Sequence, residues 1–403
     1  MSSHFHKKAA QCLILSEYTK PQKNTVEALI LYFASETIRH PGLPFSLHIV
    51  FGIIVRIAMR MGYHRDGSLY PSISVFQAEM RRRVWTWIRM ADILMSSQLG
   101  MPRLIAEGVD DTAIPLNLLD DDFDEDIVKL PSPRSDLEST AISYLVQKSK
   151  LIEVLGRIIT TVNHRTPITN SKMMELDEHL GEVHRSLPPW LLVKARTSFI
   201  TDAPHVLLRR IAIDMAYRRA QCILHRRSFY LHSQDTYCQY SRNVCVKAAM
   251  QILDHQSSLY KNAQPGGCFH QERWKMTWHY TNDFLLGAVI LYLELRSMVQ
   301  GRQDEQNVPY PRRDLMKAIH GSFEIWAQAS ATSNEAANAS HILSLMLENL
   351  GVTSNATIGT ISHPPGNPGP SNHNFMREFG AGWSPPPPPP AERILCTKHH
   401  VQN

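Results

Sequence analysis

Up to about residue 350 the apolar positions of this chain recur at three- and four-residue spacing, the repeat that gathers them on one side of a helix. No run of alternating β-branched residues between turn signals marks a strand. The expected fold class is therefore all-α, with about ten helices. They are placed at about 25–40, 44–62, 74–99, 136–163, 171–187, 204–230, 236–260, 273–299, 312–329 and 335–350. Gly62 follows the apolar run LHIVFGIIVRIAMRM and suits the left-handed position that stops a helix. Ser135 and Asn170 read as N-caps.

The helix over about 74–99 contains EMRRRVWTWIRM, three arginines running into two tryptophans. Projected at about 100° per residue, Phe76, Met80, Val84, Trp87, Ala91 and Leu94 fall on one stripe expected to face a core. Trp85, Ile88 and Ile93 lie off that stripe, so the helix is expected to pass through the middle of the fold. Arg81, Arg82 and Arg83 spread over about 200° of the circumference and cannot all face one phosphate ridge. Glu79 and Arg83 stand at i, i+4, and Arg89 and Asp92 at i, i+3, spacings that offer internal partners. The tract is accordingly read as scaffold, with Arg83 bordering the apolar face.

Composition adds limits. Of the 403 residues 43% are hydrophobic, enough for a substantial core, and a net charge of +5 without a polybasic tract does not point to nucleic acid. No signal-peptide pattern opens the sequence, and IVFGII and LLGAVILYL are too short to span a bilayer, so a soluble intracellular protein without membrane contact is expected. Residues 103–134 combine acidic runs with Pro115, Pro131 and Pro133 and are expected to form a long ordered loop. After Gly351 come 10 of the 25 prolines, six in succession, and a disordered Pro-rich tail over 351–403 is expected, following a body over 1–350.

Several segments, in order, carry a family resemblance: IVRIAMRMGYHRD, EMRRRVWTW, Asp92 followed by LGMP, then IPLNLLDDDF, and later AYRRAQCILHRRSFY and NVCVKAAMQIL. Over about residues 10–350 the chain resembles the fungal-specific transcription factor domain, the middle homology region of fungal binuclear zinc-cluster regulators. The resemblance implies a helical regulatory domain in the nucleus, shuttling with the cytoplasm, that modulates an activator. It implies no catalytic residue and no cofactor. The signature positions it assigns to the scaffold are Gly62, His64, Arg65, Asp66, Glu79, Arg81, Arg82, Arg83, Trp85, Asp92, Gly100, Pro102, Pro115, Asn117 and Asp120. Expected partners are other transcription regulators or a second copy of the chain, together with a small-molecule effector, with DNA contacted only indirectly.

Members of this family carry zinc in a six-cysteine cluster. Here the six cysteines, at 12, 222, 238, 245, 268 and 396, are too widely spaced to place four thiolates around each of two metals, so neither bound zinc nor direct DNA reading is expected. The chain is expected to start inside the domain, without the family's opening helices. A regulator of a metabolic or secondary-metabolite gene set is the primary reading, and a modulator that titrates a complete regulator is the alternative.

Asp120, Asp121 and Asp124 have the DDxxD spacing with which helical terpene synthases hold Mg2+ and a diphosphate, yet the second motif, sought from Asn282 and Asp283, has Leu286 and Ile290 at its ligand positions. Cys222 and His225, with His232 and Cys238 beyond, match no common zinc spacing. His64, Arg65 and Asp66 have no nucleophile beside them and are expected to secure the turn after Gly62. Phosphate-binding glycine loops are absent, and NFMREFGAGW in the tail reads as linker.

Overall fold

The computed structural model describes residues 2–39, 45–193, 201–230, 236–272, 280–302, 307–331 and 333–351, and among these helical periodicity becomes eleven α-helices. They are α1 (Ser2–Leu15), α2 (Thr25–Arg39), α3 (Phe45–Arg60), α4 (Val75–Leu99), α5 (Ala141–Val162), α6 (Asn170–Arg185), α7 (Pro204–His225), α8 (Thr236–Ala263), α9 (Thr281–Val299), α10 (Arg312–Ala329) and α11 (Asn334–Asn349). No strand occurs among the described residues. The proline-rich tail, His232 and the start expected for the helix at 273 lie outside the described residues.

Helix ends follow local chemistry. Gly100 closes α4 at φ 64°, where a side chain would be strained, and its N–H donates to the Ser96 carbonyl. Gly62 stops α3 in the same way at φ 77°. Two expected caps are corrected by one or more residues. Thr140, not Ser135, caps α5 by accepting the Ser143 N–H, because the backbone and carboxylate of Asp136 are engaged by Trp190 and Gln147 in a non-helical turn. Thr169 caps α6, and Asn170 is its first helical residue. Helix α1 was not expected at all; its mixed sequence SSHFHKKAAQCLIL has little apolar periodicity, and His6 ties it to α2 through Glu36 and a stacked Tyr32.

The helices enclose three apolar clusters in series. The first joins α2, α3 and one side of α4, with Phe33, Phe51, Ile54, Trp85 and Ile88. The second lies between the other side of α4 and α5, α6 and α7, with Ile93, Leu155, Leu180 and Ile213. The third is built by α7 to α11 around Cys245, Ile252, Leu291, Leu315 and Leu343. Helices α4 and α7 therefore each separate two cores, and a helix buried on two sides carries apolar residues around its circumference rather than on one stripe. This widens the projected face of α4. Phe76, Met80, Val84, Trp87, Ala91 and Leu94 are all only half-buried, whereas Trp85, Ile88, Asp92, Ile93 and Met95 are buried. The expected stripe does meet a core, since Val84, Trp87, Ala91 and Leu94 pack against the flanking clusters, but the most buried side of the helix also holds Glu79, Arg83 and Asp92, which an apolar pattern scores as surface.

Candidate functional site: the arginine hub and the cleft beside it

Between Gly100 and Thr140 the chain runs without helix apart from a 3-10 turn at Asp120–Asp122, yet Ile105, Thr112, Pro115, Asn117, Leu118 and Phe123 are buried. A buried loop leaves backbone donors and acceptors without ladder partners, and these must be met by side chains. Helix α4 supplies them. The Glu79 carboxylate, fully buried, accepts the Leu116 N–H at 3.2 Å and Arg83 Nε at 3.2 Å. Arg83 then donates to the Leu118 carbonyl at 2.8 Å and to Asp120 at 2.7 Å, with its guanidinium 4.9 Å from the Phe123 ring centre. Burial pushes the Glu79 carboxyl up, opposed by the Leu116 N–H and by Arg83.

The other two arginines of the tract point elsewhere. Arg82 makes a two-pronged bond to Asp66 at 2.8 and 2.7 Å, and Asp66 also accepts from Ser68 and from the Ala113 N–H. That Arg82 contact, above all, holds the Asp66 carboxyl well below the usual carboxylate range. Arg81 donates to the Met61 carbonyl at 3.2 Å and lies 5.0 Å from the centre of the Tyr63 ring. Arg65 pairs with Asp111 at 2.9 Å, and the His64 carbonyl accepts the Asp111 N–H. His64 itself sits with its ring 6.0 Å from Trp85, whose Nε1 donates to Asp110 at 2.8 Å. Pro102 offers its carbonyl to Ser96, while Asn117 bridges to the Ser135 carbonyl and to Thr140.

One expected pair is not formed. Arg89 reaches Glu153 at 2.7 Å and Asp110 at 3.3 Å instead of Asp92. Asp92 turns inward, where its two oxygens accept the N–H groups of Leu104 at 3.0 Å and Ile105 at 3.1 Å. An i, i+3 spacing permits contact only when nothing better is offered, and two buried amides just past the helix end outcompete a half-exposed guanidinium. Asp110, Asp111, Glu153 and Arg134 were missed as partners. The acidic pair in GVDDTA, inside a loop opposite an arginine-rich helix, was the available signal.

Most of the acidic and thiol candidates make contacts within the chain, while Asp121 is exposed. Asp120 receives Arg83, Asp122 receives Arg134 at 2.9 and 2.7 Å, and Asp124 accepts the Asp126 N–H. Asp283, on α9, is buried against Arg219 of α7. His225 contacts Ser241 at 3.1 Å and Asp177 at 3.3 Å, while Cys238 donates to the Ser228 carbonyl. Among the described residues no group of three or more potential ligands is placed to hold a metal ion.

Beside the hub, a cleft of about 320 Å³ opens between α4, α5 and α6, bordered by the loop at Thr112 and Ile114. Arg89 and Glu153 lie in its wall together with Lys150, Arg157 and the apolar Val154 and Val183.

Comparison with known proteins fixes the relationship. Residues 3–191, from α1 through α6, match the model of the fungal specific transcription factor domain. A Zn(2)-C6 fungal-type transcription factor of Monascus ruber, pigI, is 40% identical over 347 residues, covering 85% of this chain and 43% of the relative. The Zn(2)-C6 fungal-type transcription factor mpsB of Macrophomina phaseolina is 39% identical over 361 residues, 88% of this chain and 48% of the relative. The pyrrolocin cluster transcription factor fsdR, from a fungal species, is 33% identical over 357 residues, 87% of this chain and 46% of the relative. This chain thus spans about half the length of these relatives. No solved structure matches it. The arginine hub of α4 lies within the matched segment, and the chain belongs to the fungal specific transcription factor domain family.

Proposed function

We propose that this chain acts as the regulatory domain of a fungal transcription regulator that controls a secondary-metabolite gene set. The observation that carries the reading is similarity across most of the chain to transcription factors, one of them named for a biosynthetic cluster. The role is non-catalytic, exercised in the nucleus with shuttling to the cytoplasm, and needs no metal or cofactor held by these 403 residues. Its partners are another regulator or a second copy of the chain, with a small-molecule effector as input and DNA reached only through a partner or another segment. Support for indirect DNA contact comes from Arg81, Arg82 and Arg83, whose donors are directed at Met61, Asp66, Glu79, Leu118 and Asp120 rather than outward.

The test is transcript profiling of a strain lacking the gene. Coordinated change in a contiguous set of biosynthetic genes is expected; an unchanged transcriptome under producing conditions contradicts the proposal. Overexpression then separates the two modes of action. A rise in the same transcripts marks an activator, and a fall marks a chain that titrates a complete regulator.

A further inference from the structure

Cation surplus distinguishes the cleft between α4, α5 and α6 from the rest of the hub. Of its charged lining residues, Arg89, Lys150 and Arg157 are cations and Glu153 is the one carboxylate. Arg89 is neutralised by Glu153 at 2.7 Å and Asp110 at 3.3 Å. Lys150, exposed at the rim, has no ion-pair partner among the described residues. Among the described residues Arg157 has only a long 3.6 Å ion pair, to Glu107, with both side chains more than half exposed, a pair too solvated to quench its charge. Two cationic residues therefore line the cleft together with Ile114, Val154 and Val183. A cleft of about 320 Å³ with apolar residues and two weakly compensated cations in its lining has the size and character of a small-molecule site.

We propose that this cleft binds a small organic acid, its carboxylate or phosphate head between Lys150 and Arg157 and its hydrocarbon body against Ile114, Val154 and Val183. A nucleic-acid backbone is disfavoured here. The neighbouring groove, which shares Arg157 and His179, is rimmed by Glu107, Glu175, Glu178 and Glu182 against Lys172, and these carboxylates repel an extended polyanion more than a compact one seated in the cleft, whose own carboxylate, Glu153, is held by Arg89. Arg89, fixed by two acids, serves as a rigid floor. The inference rests on the reading of this chain as a regulatory domain only for its biological meaning, since binding is measured without any transcriptional readout.

The experiment is calorimetric titration of the full chain at low ionic strength with benzoate, with neutral benzamide, with inorganic phosphate and with a short DNA duplex. Saturable one-to-one binding of benzoate, at least tenfold tighter than that of benzamide, is expected. Phosphate binding at the same residues would identify the head group alone as the determinant, and its absence would assign the site to carboxylates. Lys150→Gln and Arg157→Gln should each weaken benzoate at least fivefold, whereas Lys129→Gln, an exposed lysine in the loop, should leave it unchanged. Both cleft side chains are largely exposed, and circular dichroism checks that the variants stay helical. Equal binding of benzoate and benzamide, indifference to both cleft substitutions, no saturable binding, or a preference for duplex DNA overturns the proposal.

Discussion

The loop-facing side of α4 and the interface of α7, α8 and α9 both bury charge, but for different purposes. Around α4 the carboxylates and arginines bond to backbone: Glu79 to Leu116, Asp92 to Leu104 and Ile105, Asp66 to Ala113, and Arg83 to Leu118. These charges stand in for the secondary structure that the buried stretches of the loop between α4 and α5, around Ile105 and from Thr112 to Leu118, lack. In the second region the partners are side chains on helices whose own backbone is already satisfied. Arg219 of α7 meets Asp283 of α9, Arg242 of α8 meets Glu294 of α9 at 2.8 Å, and Asp214 of α7 meets His255 of α8 at 2.6 Å. Such pairs set which helices face each other, and an apolar pair of similar volume can replace them. The same chemistry is thus indispensable in one place and exchangeable in the other.

The largest effect that tests this contrast lies in the inner region. Asp283→Ala leaves Arg219 buried without its carboxylate, and because a guanidinium does not deprotonate, a loss of about 3–5 kcal/mol is expected. Combining Arg219→Met with Asp283→Leu should recover most of it in urea melts. A double variant as unstable as the single one would show that these pairs are not exchangeable.

At the hub the corresponding repair should fail. Arg83→Ala is expected to cost about 2–4 kcal/mol. Glu79→Leu with Arg83→Met should remain as unstable or worse, since the Leu116 N–H and the Leu118 carbonyl each lose a partner at about 1–3 kcal/mol apiece. Recovery in the double variant would make the two regions equivalent and remove the distinction drawn between them.

Acidity sharpens the comparison with opposite signs. Burial pushes Asp283 up to about 6 against the pull of Arg219, so the folded state holds this proton more tightly than the unfolded chain does. Its contribution to stability therefore grows as pH falls from 7 towards 4. Asp66 behaves inversely. Held low chiefly by Arg82, it stabilises the fold above the unfolded carboxylate range near pH 4 and loses that contribution only as pH falls further. Scanning calorimetry of Asp283→Asn against the parent should show a flatter dependence between pH 7 and 5 in the variant; parallel curves would contradict the assignment. The smallest effect is the surface control. Lys172→Ala breaks an exposed pair with Glu175 and should shift stability by less than about 0.5 kcal/mol.

The contrast also explains how much the sequence disclosed. Helix positions were legible because each core-facing side repeats with helical period; α10, for instance, begins and ends where its pattern does. The Glu79 and Arg83 contact was legible because both residues lie on one helix. Asp92 was not, since its partners are backbone amides twelve and thirteen residues on, and nothing in residue spacing encodes where a loop returns. The same limit hid Asp66 with Ala113, Arg89 with Glu153, and the cap at Thr140, which competes with several neighbouring polar residues for one orphan amide. The cleft could not be read at all, because it is formed by three helices and a loop whose approach is a tertiary fact.

The central claim is that the arginines of α4 hold the molecule together and do not grip DNA. Sequence recognition needs side chains that reach base edges as well as phosphate contacts, and the three consecutive guanidiniums are directed at Met61, Asp66, Glu79, Leu118 and Asp120. The most direct test is a mobility-shift competition with this chain at physiological salt, setting promoter fragments of the regulated genes against random duplex. Equal, weak and salt-sensitive retardation is expected, with dissociation constants on the order of 10⁻⁴ to 10⁻⁶ M. Submicromolar binding that prefers the promoter and disappears in Arg81→Ala or Arg82→Ala variants that melt like the parent would contradict the claim.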